Sequence, residues 1–268
     1  MHKGFTRRCA VLVAASALLV GAAPSIAAPD WDIVGIRLGM TPAQARAALQ
    51  AYAPKAEVTE YSRQFSYHDG VRDQPLPGFL ASITARQGSA PAHAETVQVM
   101  FSAPPMEQRV IRVIRTLALH DDPLALERAT ASVTQKYGRP SAVLAPHLNN
   151  GSISRWVEAG KPVCGDTAPT SHDARQAPPV DHTPGGLSHY DAWHRRKLAP
   201  ADASNCAAAL VVSLVTRNAQ DPLVREMTFV MTDPGYAVPA MRATAQQIAD
   251  LQAQARKARQ TSGAVPKL

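Results

Sequence analysis

Apolar and polar positions along this chain alternate between a helical spacing and a strand spacing, and the switches mark out its elements. Thr41-Pro42-Ala43-Gln44 opens a helix. The Thr41 hydroxyl can accept from free first-turn amides, proline at the first helical position loses no hydrogen bond, and Gln44 completes a capping box. Met40, Ala45, Ala48 and Leu49 form the apolar side of this helix, which ends near Tyr52 and Pro54. The next hundred residues favour strands. Val58, Tyr61, Phe65 and Tyr67 lie among polar neighbours in 57–68, and Ala81, Ile83 and Ala85 alternate with Ser82, Thr84 and Arg86. Val97, Val99 and Phe101 repeat with period two. Pro104-Pro105 turns the chain. The arginine-interrupted run 109–119 fits helix or strand, and its Val and Ile content favours strand.

A second round follows. Asp121-Asp122-Pro123 starts a helix with Leu124, Leu126, Ala129, Val133 and Tyr137 on its buried side, and Gly138-Arg139-Pro140 stops it. Strands are expected at 153–158, 208–217 and 223–232, the first of these carrying Trp156 into the core. A final helix opens at Pro234 and runs to about Arg259, with Met241, Ala245, Ile248, Leu251 and Ala255 along one face. Antiparallel strands with helices set between them read as α+β, with helices on one face of each sheet. Two helix-plus-antiparallel-sheet units are expected, 29–119 and 120–259, followed by a disordered tail over 260–268.

The segment 165–205 breaks this regularity. It is rich in Pro, Gly, Ser, Ala and His, lacks apolar patterning, and reads as an irregular insertion between strands. Loops of this length are uncommon and are often functional or disordered. Within it, Tyr190, Trp193, Arg195 and Arg196 have the aromatic–arginine composition of an interaction hot spot. Trp193 reads equally well as a side chain that anchors the insertion on the sheet. His172, His182, His189 and His194, with Asp173, Asp181 and Asp191 nearby, are the alternative chemistry: imidazole and carboxylate ligands for zinc or copper. Their spacings of 10, 7 and 5 match no standard ligand motif, so the leading reading is a polar surface loop without metal or cofactor.

The first 27 residues change the picture of the whole chain. Lys3, Arg7 and Arg8 precede an apolar stretch from Cys9 to Ala23, and Ser25-Ile26-Ala27 supplies small residues for cleavage. This is the order of a secretory signal peptide. Its apolar core of about 15 residues falls short of the roughly 20 that span a bilayer. No later segment is apolar for long enough, so the mature chain is expected to have no membrane span and to be periplasmic or secreted. Cleavage removes three of the 28 basic residues and none of the 21 acidic ones, and lowers the charge excess from +7 to +4. Without a concentrated basic face, nucleic acid is not an expected partner. Cleavage also discards Cys9. The pair that remains, Cys164 and Cys206, reads as a disulfide in an oxidising compartment. Closing that loop of about 43 residues stabilises the fold by roughly 4 kcal/mol in the chain-entropy picture.

The segment Gly35-Ile36-Arg37-Leu38-Gly39-Met40-Thr41-Pro42-Ala43-Gln44-Ala45 resembles the start of the small exported modules of the outer-membrane assembly lipoprotein family SmpA/OmlA. The β-lactamase inhibitor protein fold looks similar in architecture. Lys136-Tyr137-Gly138-Arg139-Pro140-Ser141 looks like the helix-ending stretch of many bacterial secreted proteins of this type. The chain departs from the lipoprotein in lacking a lipidated Cys, in its length and in its insertion. The resemblance implies a fold, and a function of binding proteins through a sheet face or loop.

Catalytic motifs point nowhere else. Neither Gly151-Ser152-Ile153-Ser154 nor Gly186-Leu187-Ser188-His189 is a nucleophile elbow, and Asp121-Asp122 sits where acidic residues favour a helix dipole. There is no phosphate-binding or dinucleotide glycine motif. The expected function is a non-enzymatic protein-binding or envelope-assembly module whose partner is an envelope or extracellular protein.

Overall fold

Thr41 accepts a hydrogen bond from the Gln44 amide and its own amide donates to the Gln44 side chain, so helix α1 (Pro42–Tyr52) begins with the expected capping box. Ala45 and Leu49 are its buried positions. The structure, a computed structural model, describes residues 29–88, 94–119, 123–144, 150–163, 203–218 and 220–262. The expected signal peptide lies outside the described residues. After α1 come β1 (Glu57–Arg63), β2 (Ser66–His68), β3 (Asp73–Pro75), β4 (Phe79–Gln87), β5 (Glu95–Phe101), β6 (Val110–Ala118) and β7 (Leu124–Ala125). Helix α2 (Leu126–Tyr137), β8 (Ala142–Leu144), β9 (Gly151–Val157), a 3₁₀ turn (Ala203–Asn205), β10 (Ala209–Asn218), β11 (Asp221–Thr232) and helix α3 (Pro234–Ser262) complete the order. The fold is α+β, as expected.

The strands of the two expected units join edge to edge. The main sheet runs β1-β4-β5-β6-β11-β10-β9-β8, with β7 against β11 and each of these pairings antiparallel. The seam is β6 against β11, where Val113 faces Met231 and Arg115 faces Phe229. Strand β10 lies inside this sheet and is buried on both sides, which explains its unbroken apolar run from Ala209 to Val212 in place of an alternation. Strand β2 pairs with β3 in a separate hairpin.

Two bulges decide which apolar side chains go to which side of the sheet. Tyr61 pairs with Ser82 but Ser62 pairs with Leu80, so Ala81 is an extra residue in β4. Ile83 and Ala85 therefore enter the core beneath α1 and α2, whereas Phe79 and Ala81 enter the core beneath α3. In the same way Met100 pairs with Arg112 and Phe101 with Val110, leaving Ile111 over in β6. Ile111 joins the α3 core and Val113 the other. Strict alternation would have put both members of each pair on one face.

Two helices differ from expectation. Asp121 and Asp122 lie outside the described residues, and α2 begins later, at Leu126, with no side-chain cap. Leu124 and Ala125 instead pair with Val224 and Leu223 as β7. On α3, Ala245 is exposed and Thr244 is fully buried. The Thr244 hydroxyl donates toward the Ala240 and Pro104 carbonyls, so a polar residue fits the buried stripe with Ala237, Val238 and Met241. Helix α3 continues to Ser262, past the expected end at Arg259, and the rest of the expected tail lies outside the described residues. Near that end the Arg259 guanidinium lies against Gly70 of the β2–β3 turn, where an added Cβ would overlap it. Among the described residues no helix is long and apolar enough to cross a membrane.

Candidate interaction surface

On the α1/α2 side of the sheet, a row of aromatic and charged side chains crosses the seam between the two halves. Glu95 begins β5 and is buried. Arg115 of β6 donates from Nε to Glu95 Oε1 at 2.6 Å and from Nη2 to the Tyr52 hydroxyl at 2.9 Å. Tyr52, the last residue of α1, donates to Glu95 Oε1 at 2.8 Å, and Gln87 Nε2 donates to Glu95 Oε2. The Arg115 guanidinium also lies 5.6 Å from the Tyr52 ring centre and 5.5 Å from that of Phe229. Both are within the range of cation–π attraction. Burial and the hydrogen bond to Glu95 push the Tyr52 phenol up. It stays protonated at neutral pH and acts as a donor.

The row continues onto α2. Tyr137 lies 6.4 Å from Phe229 and 5.7 Å from Trp156 between ring centres. Trp156 is buried, as expected, and its indole donates to the Gly138 carbonyl at 3.1 Å. The Tyr137 hydroxyl donates to the Asp32 carbonyl at 2.9 Å, and burial with the nearby Asp32 carboxylate pushes this phenol up to about 12. Burial alone would raise Asp32. The Gly35 amide and Lys136, 3.1 Å away, outweigh it and hold the carboxyl below its ordinary value. This end of the row ties the segment before α1 to the end of α2.

The middle of the row stays partly open. Tyr52 is 37% exposed, and Leu117, Leu119, Leu124 and Leu126 are half-buried against the same core. Leu117 stands between Glu95 of β5 and Met227 of β11 in register. An arginine held by a carboxylate below and an aromatic ring beside it, edged by leucines, has the composition of a binding anchor. The chain's own contacts hold that geometry.

Most residues singled out from the sequence fall elsewhere. Tyr190, Trp193, Arg195 and Arg196, and His172, His182, His189 and His194, lie outside the described residues, as does Cys164. Among the described residues, no group of three or more His, Cys, Asp or Glu is placed to hold a metal ion. Cys206 is buried in the α3 core with Phe65, Phe79 and Met241. Beside it the two flanks of the insertion meet: the Ala207 amide donates to the Pro162 carbonyl, and the Glu158 amide to the Ala208 carbonyl, both at 2.9 Å.

The Tyr52–Glu95–Arg115 group was not singled out from the sequence. Its one local signal is Arg115 itself, a charge at an inward position of an apolar strand, which requires a buried partner. No protein-family model, curated protein or solved structure matches this chain.

Proposed function

We propose that the chain is an exported, non-enzymatic module that binds an envelope or extracellular protein, with the open middle of the Tyr52–Arg115 row as its described contact surface. The observation that supports this reading most is the fixed Arg115. Its guanidinium is already paired with Glu95 and flanked by Tyr52 and Phe229, so a partner need not immobilise it. The half-buried leucines around it supply apolar contact area. The raised phenols of Tyr52 and Tyr137 act as hydrogen-bond donors and not as bases at neutral pH.

The insertion belongs to the same reading. Its flanks are hydrogen-bonded together at Pro162 and Ala207, and a Cys164–Cys206 bridge next to this contact would keep them joined. The resemblance to SmpA/OmlA modules supports an envelope-assembly role in the periplasm or outside the cell.

The test is cross-linking capture from an envelope fraction by the mature chain, by Leu119→Asp, and by a chain lacking 165–205. We expect Leu119→Asp to lose the specific cross-linked partner while still unfolding cooperatively, at a midpoint lowered because Leu119 is half-buried against the core. Identical partners and yields for all three proteins would sink the reading.

A further inference from the structure

Among the described residues, strand β1 is the longer of the two edge strands of the main sheet, the other being the three-residue β8. Strand β1 pairs with β4 on one side, and Glu57 through Ser62 are all exposed. Val58 and Tyr61, on opposite faces, are 47% and 48% exposed. The bulge that distorts this strand pair falls in β4, at Ala81, so β1 keeps a regular pleat along its outer edge. A regular seven-residue edge with apolar groups on both faces can pair with another strand unless its charges forbid it.

Its charges favour one partner in particular. When two copies of a strand pair antiparallel about a two-fold axis normal to the sheet, side chains opposite each other lie on the same face. With the axis at Glu60, Glu57 of each copy faces Arg63 of the other, and Thr59 faces Tyr61. These four positions share one face of β1, because their partners Arg86, Thr84, Ser82 and Phe79 share one face of β4. Glu57 then stands between Arg86 of its own β4 and Arg63 of the second copy. The Arg63 guanidinium lies 4.6 Å from the Tyr61 ring centre, which places its charge along this row.

On the other face the two Glu60 side chains meet at the axis, and two bare carboxylates there would repel. Each is already neutralised within its own chain: Arg46 of α1 donates from Nε at 2.5 Å and from Nη2 at 2.9 Å to the two Glu60 oxygens. The Arg46 hydrogen bond holds the Glu60 carboxyl below its ordinary value. The one like-charge contact of the pairing is thus screened by a bidentate arginine.

We propose that β1 is a self-pairing edge, through which a second copy of this chain extends the sheet antiparallel about Glu60. This surface is separate from the Tyr52–Arg115 row and does not depend on its function.

Sedimentation equilibrium on the mature chain, with Glu57→Arg, Arg63→Glu and the double exchange, tests it. The wild type is expected to dimerise with concentration. Each single reversal sets like charges opposite each other twice and should weaken dimerisation about tenfold or more, and the double exchange should restore it. Hydrogen exchange of the β1 amides, run in parallel, should slow as wild-type concentration rises and confirms that the variants stay folded. A wild type that is monomeric up to about 1 mM, or a dimer unmoved by either single reversal, overturns the proposal.

Discussion

Arg115 and Glu95 sit one diagonal step apart on neighbouring strands, since Arg115 faces Val97 and Glu95 faces Leu117. Their side chains are 22% and 7% exposed and meet at 2.6 Å. Removing the arginine alone leaves a buried carboxylate without its counter-charge. Arg115→Ala should therefore cost about 3–5 kcal/mol of stability. Arg115→Ala combined with Glu95→Gln should recover part of that loss, because the remaining group is neutral. Urea unfolding of the four proteins of this cycle measures the coupling. A coupling near zero would show that the pair adds little to the fold.

Gly151 opens β9 with φ of 116°, and a Cβ there would lie 1.8 Å from the Leu214 carbonyl oxygen. That obstacle is backbone of the adjoining strand and cannot swing aside. Gly151→Ala is expected to destabilise the fold by about 3 kcal/mol or more. Gly39→Ala, with positive φ but open space around it, should cost only about 1 kcal/mol. Thermal unfolding of both variants checks the ranking.

The β2–β3 hairpin should open in acid. Hydrogen bonds from the Arg72 amide, the Gln74 side chain and the Val71 amide hold the Asp69 carboxyl at about 2. A depressed carboxyl contributes stability above its unfolded value near 4 and loses it as pH falls toward 2. Amide exchange at Val71 and Arg72 should accelerate over that interval in the wild type. Asp69→Asn should abolish the pH dependence.

Asp233 has the opposite sign. It sits at the start of α3, where its side chain accepts from the Tyr236 amide, and burial pushes its carboxyl up despite that bond and despite Lys161. A raised carboxyl favours the fold at low pH and loses that contribution as pH rises through its folded value. Asp233→Asn retains the accepting oxygen and carries no charge. It should be more stable than the wild type at pH 7, with the difference shrinking as pH falls toward 4. An unfolding series over pH 4–8 decides this, and a difference that does not change with pH would rule out the buried charge as its cause.

What could be read from the chain itself was local. The α1 capping box, the strand character of β4, β5, β10 and β11, the stop at Gly138 and the burial of Trp156 depend on residues close in sequence, where periodicity, capping and turn chemistry act. The three-residue strands β2, β3 and β8 are too short to show a period. The start of α2 was misplaced because Leu124 and Ala125 satisfy their backbone against β11, a partner about a hundred residues away that no local pattern records.

Which faces meet, and what stands on them, was decided only by tertiary structure. The bulges at Ala81 and Ile111 send neighbouring apolar positions to opposite cores, and the joining of β6 to β11 makes one sheet from two units. Tyr52 is separated from Glu95 by 43 positions and from Arg115 by 63. Nothing near each of them in the chain specifies the others. Their convergence follows from strand order and register, because a charge buried on one strand is stable only where the fold brings its partner beside it.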